Sequence, residues 1–192
     1  FGREVAALVE AVNRQASSWS LAGFVDDDPS RHGDTVMGYS VRGDVYWLAQ
    51  QTDLRFVIAI GDGAARRRIA ERLRPSAATA ASLLHPSVSI HRTAEVAPGT
   101  IACRGVASTV PFEIGPRVIL NLSCTIGHDS VLEAFVTLHP GVHVSGAVHL
   151  AAGVTLGTGA VVLPGVRIGA HTTFGAGAVV TDDLPPHCTA VG

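Results

Sequence analysis

From residue 114 to residue 138 the chain reads IGPRVILNLSCTIGHDSVLEAFVTL. Every sixth residue in it is apolar: Ile114, Leu120, Ile126, Leu132 and Leu138. The residue two places before is small or β-branched, as at Val118, Cys124 and Val136. The register runs back to Ile90 and forward to Val180 with no insertion. Fifteen of its sixteen positions are apolar, Ser108 being the exception, in a chain that is 47% hydrophobic. Chance supplies such a run on the order of once in a thousand, so the period is a structural rule. A hexad repeat of this kind marks a parallel β-helix. Each hexad gives one short strand and one turn, three hexads close a triangular coil, and the fifteen steps from Ile90 to Val180 give five coils. Known hexad solenoids with this pattern wind left-handed, so the expected fold is a left-handed parallel β-helix. The apolar residue points into the prism and the small residue two before it fits the corner. Gly115, Gly127, Gly157, Gly169 and Gly175 follow the apolar residue and read as turn residues with positive φ. Residues eighteen apart should stack at strand spacing, about 4.8 Å. The repeat buries its own apolar column and is expected to fold by itself.

Upstream of Pro86 the pattern changes. Val5, Leu8, Val9 and Val12 fall at helical spacing, so residues 2–14 read as an amphipathic helix. Leu21 to Val25 reads as a short strand closed by the turn Asp26-Asp27-Asp28-Pro29. Val45 to Gln50 reads as a short helix, Phe56 to Ile60 as a buried strand broken by Gly61-Asp62-Gly63, and Ala64 to Leu73 as a helix. Arg66, Arg67, Arg68 and Arg72 are expected on the solvated face of that last helix. Strand-turn-helix units repeated in this way make a small Rossmann-like α/β domain. The expected division is residues 1–84 for this domain and 85–192 for the β-helix. The first helix has no strand before it, so a strand and a Gly-rich turn are expected upstream of Phe1, and a few residues beyond Gly192.

The composition narrows the function. Fourteen Lys and Arg against sixteen Asp and Glu give a net charge of −2, and no basic block stands out. That excludes electrostatic nucleic-acid binding. No apolar run reaches eighteen residues, so no membrane span is expected. Phe1 to Gly23 mixes polar and apolar residues with Glu4 and Glu10, unlike a signal peptide. Three cysteines without a C-x-x-C spacing do not form a disulfide framework, and a cytoplasmic setting is the default.

The stacking rule sorts the chemistry. His128 lies two places after the inward Ile126 and should stand outside the prism, near a corner, beside Asp129. A carboxylate orients an imidazole and makes it more basic. Gly146 is one coil on, where a glycine admits a ligand to the backbone and its N–H can face an oxyanion. Asn121, His139 and Gly157 make a second column on an outer edge. His143 and His149 point outward and are given no role. Cys124, two before Ile126, should be a packed thiol and not an acyl carrier. The gamma class of carbonic anhydrase holds zinc in a trimeric β-helix through histidines, two of them five apart. No two histidines here are five apart. No metal is expected.

The chain resembles the bacterial sugar O-acyltransferases of the sialic acid O-acetyltransferase type, and equally the UDP-4-amino-sugar N-acetyltransferases of bacillosamine biosynthesis. The resemblance spans almost the whole chain. It is carried by Phe1-Gly2-Arg3-Glu4-Val5, Gly23-Phe24-Val25-Asp26-Asp27, Ile58-Ala59-Ile60-Gly61-Asp62, residues 121–146 and the tail Ala190-Val191-Gly192. It implies a homotrimer with acetyl-CoA in a groove between neighbouring β-helices. His128 matches the family's catalytic base and Asp129 the acidic residue after it. Asn121 matches an asparagine near the acceptor, Gly146 a backbone donor to the thioester carbonyl, and Thr158 and Ala176 positions along the coenzyme groove. Some members have a histidine where Thr137 stands, close to the coenzyme, and His139 is the nearest histidine here. In the nucleotide-sugar branch the N-terminal domain holds the acceptor, at positions matching Asp26, Asp27 and Gly61.

The expected activity is direct acetyl transfer from acetyl-CoA to a sugar amine or hydroxyl, with no acyl-enzyme. The alternatives are a non-catalytic β-helix scaffold or transfer of another acyl group. A nucleotide-linked amino sugar, a sialic acid and a capsule sugar all remain open as acceptor.

Overall fold

A computed structural model of the chain describes residues 1–91, 94, 96–108, 110 and 112–191. The hexads form a three-sided parallel β-helix. Its first face has seven strands, Leu83–Leu84, Ile101–Ala102, Ile119–Leu120, Thr137–Leu138, Thr155–Leu156, Thr173–Phe174 and Thr189–Ala190. The second face has five, Ala107–Ser108, Thr125–Ile126, His143–Val144, Val161–Val162 and Val179–Val180. Among the described residues the third has four, Glu113–Ile114, Val131–Leu132, His149–Leu150 and Arg167–Ile168. Within the repeat each residue pairs with one eighteen places on, as in Thr125 with His143 and Thr137 with Thr155. The inward residues from Leu120 to Val180 form one continuous buried column, with Val118, Cys124, Val136 and their equivalents filling the corners.

Two features differ from the sequence reading. The solenoid begins at Leu83–Leu84 and continues to Thr189–Ala190, about one turn more than the five coils from Ile90 to Val180. Its last coil is shorter: Phe174 pairs with Ala190 and Ile168 with Leu184, sixteen residues on. Gly192, in the closing tail, lies outside the described residues. The glycines after the inward residue also do a different job. Gly115, Gly127, Gly157, Gly169 and Gly175 do not have positive φ. A Cβ at Gly127 would sit 2.4 Å from the backbone N of Gly146 in the next coil, so close packing between coils selects glycine there. The left-handed turn position comes two residues later and accepts other residues, among them Arg117, Ser123, Asp129, Phe135 and Ala147.

The N-terminal region is built from three helices, α1 (Gly2–Gln15), α2 (Val45–Ala49) and α3 (Gly63–Leu73). Asp44 and Asp62 cap α2 and α3, accepting from the N–H of Trp47 at 2.8 Å and of Ala65 at 2.6 Å. The expected strands are shorter than read. Only Phe24 of Leu21–Val25 bridges, to Val41, and only Arg55–Phe56 pairs, in parallel, with Thr79–Ala80. Residues 21–27 and 53–60, with one side of α1, line a cleft of about 1580 Å³. A hairpin, Thr35–Val36 with Tyr39–Ser40, was not legible because Met37 takes the left-handed conformation beside Gly38.

The two regions meet on the first face. Its outward residues are Leu83, Ile101 and Ile119 in the early coils and Thr137, Thr155 and Thr173 in the later ones. Val5, Leu8 and Val9 of α1 bury the first three, leaving Ile101 at 0% and Ile119 at 1% exposure. The repeat buries its inward column, while part of its outward row is covered by α1. Arg66 departs from the sequence reading. It is 1% exposed, tucked between α3 and the solenoid, while Arg67 and Arg68 stay on the solvated face.

Candidate active site

His128 and Asp129 occupy the turn after the second-face strand Thr125–Ile126, outside the prism. Their side chains are 65% and 81% exposed. His128 Nδ1 lies 2.9 Å from Asp129 Oδ2. With Nδ1–H donating to that carboxylate, the lone pair rests on Nε2. Nε2 is aimed along the coil stack at Gly146, where an added Cβ would fall 2.3 Å from it. The eighteen-residue rule thus places the imidazole directly over Gly146, and only a glycine leaves room for it. Among the described residues no protein acceptor takes the Gly146 N–H, whereas Ala147 N–H donates to His128 O at 2.7 Å. A free base nitrogen and a free backbone donor therefore share one corner.

The second column lies on another corner, after the first-face strands. Asn121 is 9% exposed and its Oδ1 accepts from Leu122 N–H at 2.8 Å. His139 is half-buried, and Thr158 and Ala176 are exposed in the turns of the next two coils. The second face separates this column from the His128 corner. Its outward residues are Thr125, His143, Val161 and Val179, and Thr125 Oγ1 lies 2.8 Å from His143 Nδ1. His143 therefore stands on the strip between the two corners, a position its outward register alone did not distinguish.

Thr137 does not reach that surface. It is 1% exposed, its hydroxyl donates to Gly61 O at 2.9 Å and accepts from Arg66 Nη2 at 2.8 Å. The expected coenzyme contact through this side chain is corrected accordingly: it belongs to the joint between the two regions. Cys124 is fully buried, its Sγ 3.2 Å from His139 O, and burial pushes its thiol up to about 11. It is a packed thiol, as its register indicates.

In the N-terminal region Asp26 and Asp27 line the cleft and Gly61 lies outside it. Asp26 Oδ2 accepts from Arg31 Nη1 at 2.8 Å. Asp27 accepts from Arg72 and from Val45 N–H, and the Arg72 guanidinium holds its carboxyl below the ordinary carboxylate range. Both carboxylates are thus oriented by protein donors before any ligand arrives. Gly61 has open space over its Cα and a carbonyl fixed by Arg66 and Thr137. Among the described residues no group of three His, Cys, Asp or Glu side chains is placed to hold a metal ion, and no helix is long and apolar enough to cross a membrane.

Comparison with known proteins agrees with this architecture. Residues 1–73 match the PglD N-terminal domain and residues 147–182 the bacterial transferase hexapeptide (six repeats). A search of curated proteins returned no match. Among solved structures, perosamine N-acetyltransferase from Caulobacter crescentus, in complex with CoA and GDP-perosamine, is 33% identical, covers 97% of this chain and 89% of its own, and superposes with a TM-score of 0.86. The acetyltransferase domain of PglB from Neisseria gonorrhoeae is 28% identical, covers 100% and 91%, and has a TM-score of 0.90. WeeI from Acinetobacter baumannii is 26% identical over 97% and 91%, with a TM-score of 0.87. With a third of its residues shared across nearly its full length, and the same α/β region placed before the same hexad solenoid, the chain belongs to the family of hexapeptide-repeat sugar acetyltransferases with a PglD-type N-terminal domain.

Proposed function

We propose that this protein transfers an acetyl group from acetyl-CoA to the amine of a nucleotide-linked amino sugar. The observation that carries the reading is His128 Nε2 standing over Gly146 with Asp129 on Nδ1. In this reading the sugar amine attacks the thioester carbonyl carbon. His128 Nε2 takes the amine proton, the Gly146 N–H steadies the oxyanion, and as the C–S bond breaks the imidazolium returns the proton to the sulfur, releasing the coenzyme thiol. Asp129 holds the ring so that Nε2 stays basic. The choice of an amine over a hydroxyl rests on the relatives, one of which is solved with CoA and GDP-perosamine. His139, Thr158 and Ala176 line the coenzyme path, and Asn121 stands near the acceptor. Asp26, Asp27 and the Gly61 turn hold the nucleotide end. Three free cysteines fit a reducing cytoplasm, where acetyl-CoA and nucleotide sugars meet.

The two corners support a trimeric assembly. One chain separates the His128 corner from the Asn121–His139–Thr158–Ala176 column by a whole face. Packing copies side by side around a threefold axis sets one chain's column against its neighbour's His128 corner, and closed symmetry satisfies all three grooves at once. Sedimentation should give a trimer; a fully active monomer at micromolar concentration contradicts this. The activity itself is tested by thiol release from acetyl-CoA with nucleotide-linked amino sugars, the corresponding free amino sugars and sialic acid. Turnover is expected with a nucleotide-linked amine. Turnover with sialic acid alone would move the reading to O-acetylation.

A further inference from the structure

The joint between the two regions contains a buried cation with an unusual set of partners. The guanidinium of Arg66 carries five N–H groups, and every one of its three nitrogens has an oxygen partner. Nε donates to Arg117 O at 3.2 Å. Nη1 donates to Ile60 O at 2.7 Å and Gly61 O at 2.8 Å. Nη2 donates to Phe135 O at 2.7 Å and Thr137 Oγ1 at 2.8 Å. None of these oxygens belongs to a carboxylate. Burial draws the arginine down to about 10, with Asp62 opposing the shift. A desolvated charge without a directly paired carboxylate is costly to hold. An apolar side chain here would leave the carbonyls of Arg117, Ile60 and Phe135 without the donors the fork supplies, so the arginine does more than adhere: it fixes these carbonyls relative to one another.

The partners show what the guanidinium does. Two of them, Ile60 O and Gly61 O, are the turn that opens α3. The others sit at the corner that feeds the first-face strands, and Arg117 and Phe135 occupy the same turn position one coil apart. Thr137 closes the arrangement by donating to Gly61 O at 2.9 Å, so that carbonyl is held from both sides. Gly63 brings the backbone close enough: a Cβ there would fall 2.8 Å from Phe135 O. The strand Thr137–Leu138 starts at this joint and is followed by His139, in the column that includes Asn121. This two-residue strand thus links the Gly61 turn to the His139 column, which the proposed assembly sets against a neighbouring chain's His128 corner.

We propose that Arg66 is a positioning residue that fixes the Ile60–Gly61 turn relative to the strand Thr137–Leu138, and so sets the distance between the nucleotide end of the acceptor and the site of acetyl transfer. It rests on the reading that the acceptor is a nucleotide-linked amino sugar held in part by Gly61. Arg66 touches no substrate in this account; it makes acetylation of an amine depend on the nucleotide it is carried on. Lysine has the charge but not the planar fork, and cannot hold oxygens on both sides of the joint.

The test compares the parent chain with Arg66→Lys and Thr137→Val, assayed with acetyl-CoA on one nucleotide-linked amino sugar and on the same sugar freed of its nucleotide. A displacement near 1 Å costs about a hundredfold, so Arg66→Lys should lower kcat/KM for the nucleotide-linked acceptor by tenfold to about a hundredfold. The KM for acetyl-CoA and the slow rate on the free sugar should stay near parent values. Thr137→Val should act in the same direction more weakly, and it carries the test if Arg66→Lys does not fold, as judged by thermal melting. Equal losses on both acceptors, a parallel rise in the acetyl-CoA KM, or unchanged kinetics in the variant that folds would overturn the proposal. A parent that acetylates the free sugar as well as the nucleotide-linked one would overturn both this proposal and the acceptor reading beneath it. That outcome is visible in the parent alone, before any variant is made.

Discussion

The solenoid and the region before it are held together by different means. In the solenoid one rule, an inward residue every sixth position, places nearly every side chain, and the chemistry sits where two coils stack, at His128 over Gly146. In the first eighty residues no single rule recurs: α2 and α3 start at aspartate caps while α1 does not, and the attachment to the solenoid relies on α1 covering Ile101 and Ile119 and on Arg66 spanning the joint. The contrast shows that a repeat can be regular and still be incomplete. Its outward row changes from Leu83, Ile101 and Ile119 under α1 to Thr137 under the Gly61 turn and Arg66, and then to Thr155 and Thr173.

The largest expected effect tests that incompleteness. A chain starting at residue 86 loses the strand Leu83–Leu84 and uncovers Ile101 and Ile119. Each buried isoleucine contributes about 1.5–3 kcal/mol, and an exposed apolar strip invites association. Light scattering should show aggregation, and Ile101→Thr with Ile119→Thr should reduce it by extending the threonine row. A soluble, monodisperse truncated chain with both isoleucines intact would show the solenoid to be independent after all.

Gly146→Ala sharpens the comparison from the solenoid side. Gly146 does not have positive φ, so alanine fits the backbone. The new methyl would fall on the His128 ring and turn it away. Because that ring is mostly exposed, it can move at little cost in stability. We expect kcat to fall by about a hundredfold, the cost of misplacing a reacting group by 1 Å, with the melting temperature nearly unchanged. Loss of folding with catalysis preserved per folded molecule would contradict the stacking argument.

The smallest effect is a pH dependence at the far end of α3. His171 stacks on His187 with ring centroids 5.2 Å apart and lies 3.4 Å from Arg67 Nη1. Burial, then Arg67 and His187, hold its pKa below the ordinary histidine value. The unfolded chain therefore takes up the proton first, and stability is lost as pH falls through about 6.5. His171→Gln should flatten the decline of Tm between pH 7.5 and pH 5.5. A steeper decline would reverse the sign of this contribution.

The sequence reveals the solenoid because hexad periodicity is a local, repeated signal that a single inward column enforces. It also locates His128 over Gly146, since residues eighteen apart must stack. It misleads at Arg66, which looks like its neighbours Arg67 and Arg68 in a helical pattern, because burial there depends on carbonyls fifty to seventy residues away. Thr137 is misplaced for the same reason: the α/β region covers one face of the prism, and hexad register says nothing about what lies against a face. A signal for that cover was present in the outward row, where isoleucine gives way to threonine. The short strands of the N-terminal region were read as longer because apolar runs such as Phe56–Ile60 look alike whether or not a neighbouring strand pairs with them.

The claim that the His128–Gly146 corner performs the transfer is tested most directly by His128→Ala, assayed for thiol release with a nucleotide-linked amino sugar and for acetyl-CoA binding by calorimetry. A general base contributes about 10²–10⁴-fold, so kcat should fall by that factor while the acetyl-CoA Kd stays near the parent value. A variant that retains kcat within about threefold of the parent, where a base should be worth at least a hundredfold, would place the base elsewhere and contradict the account.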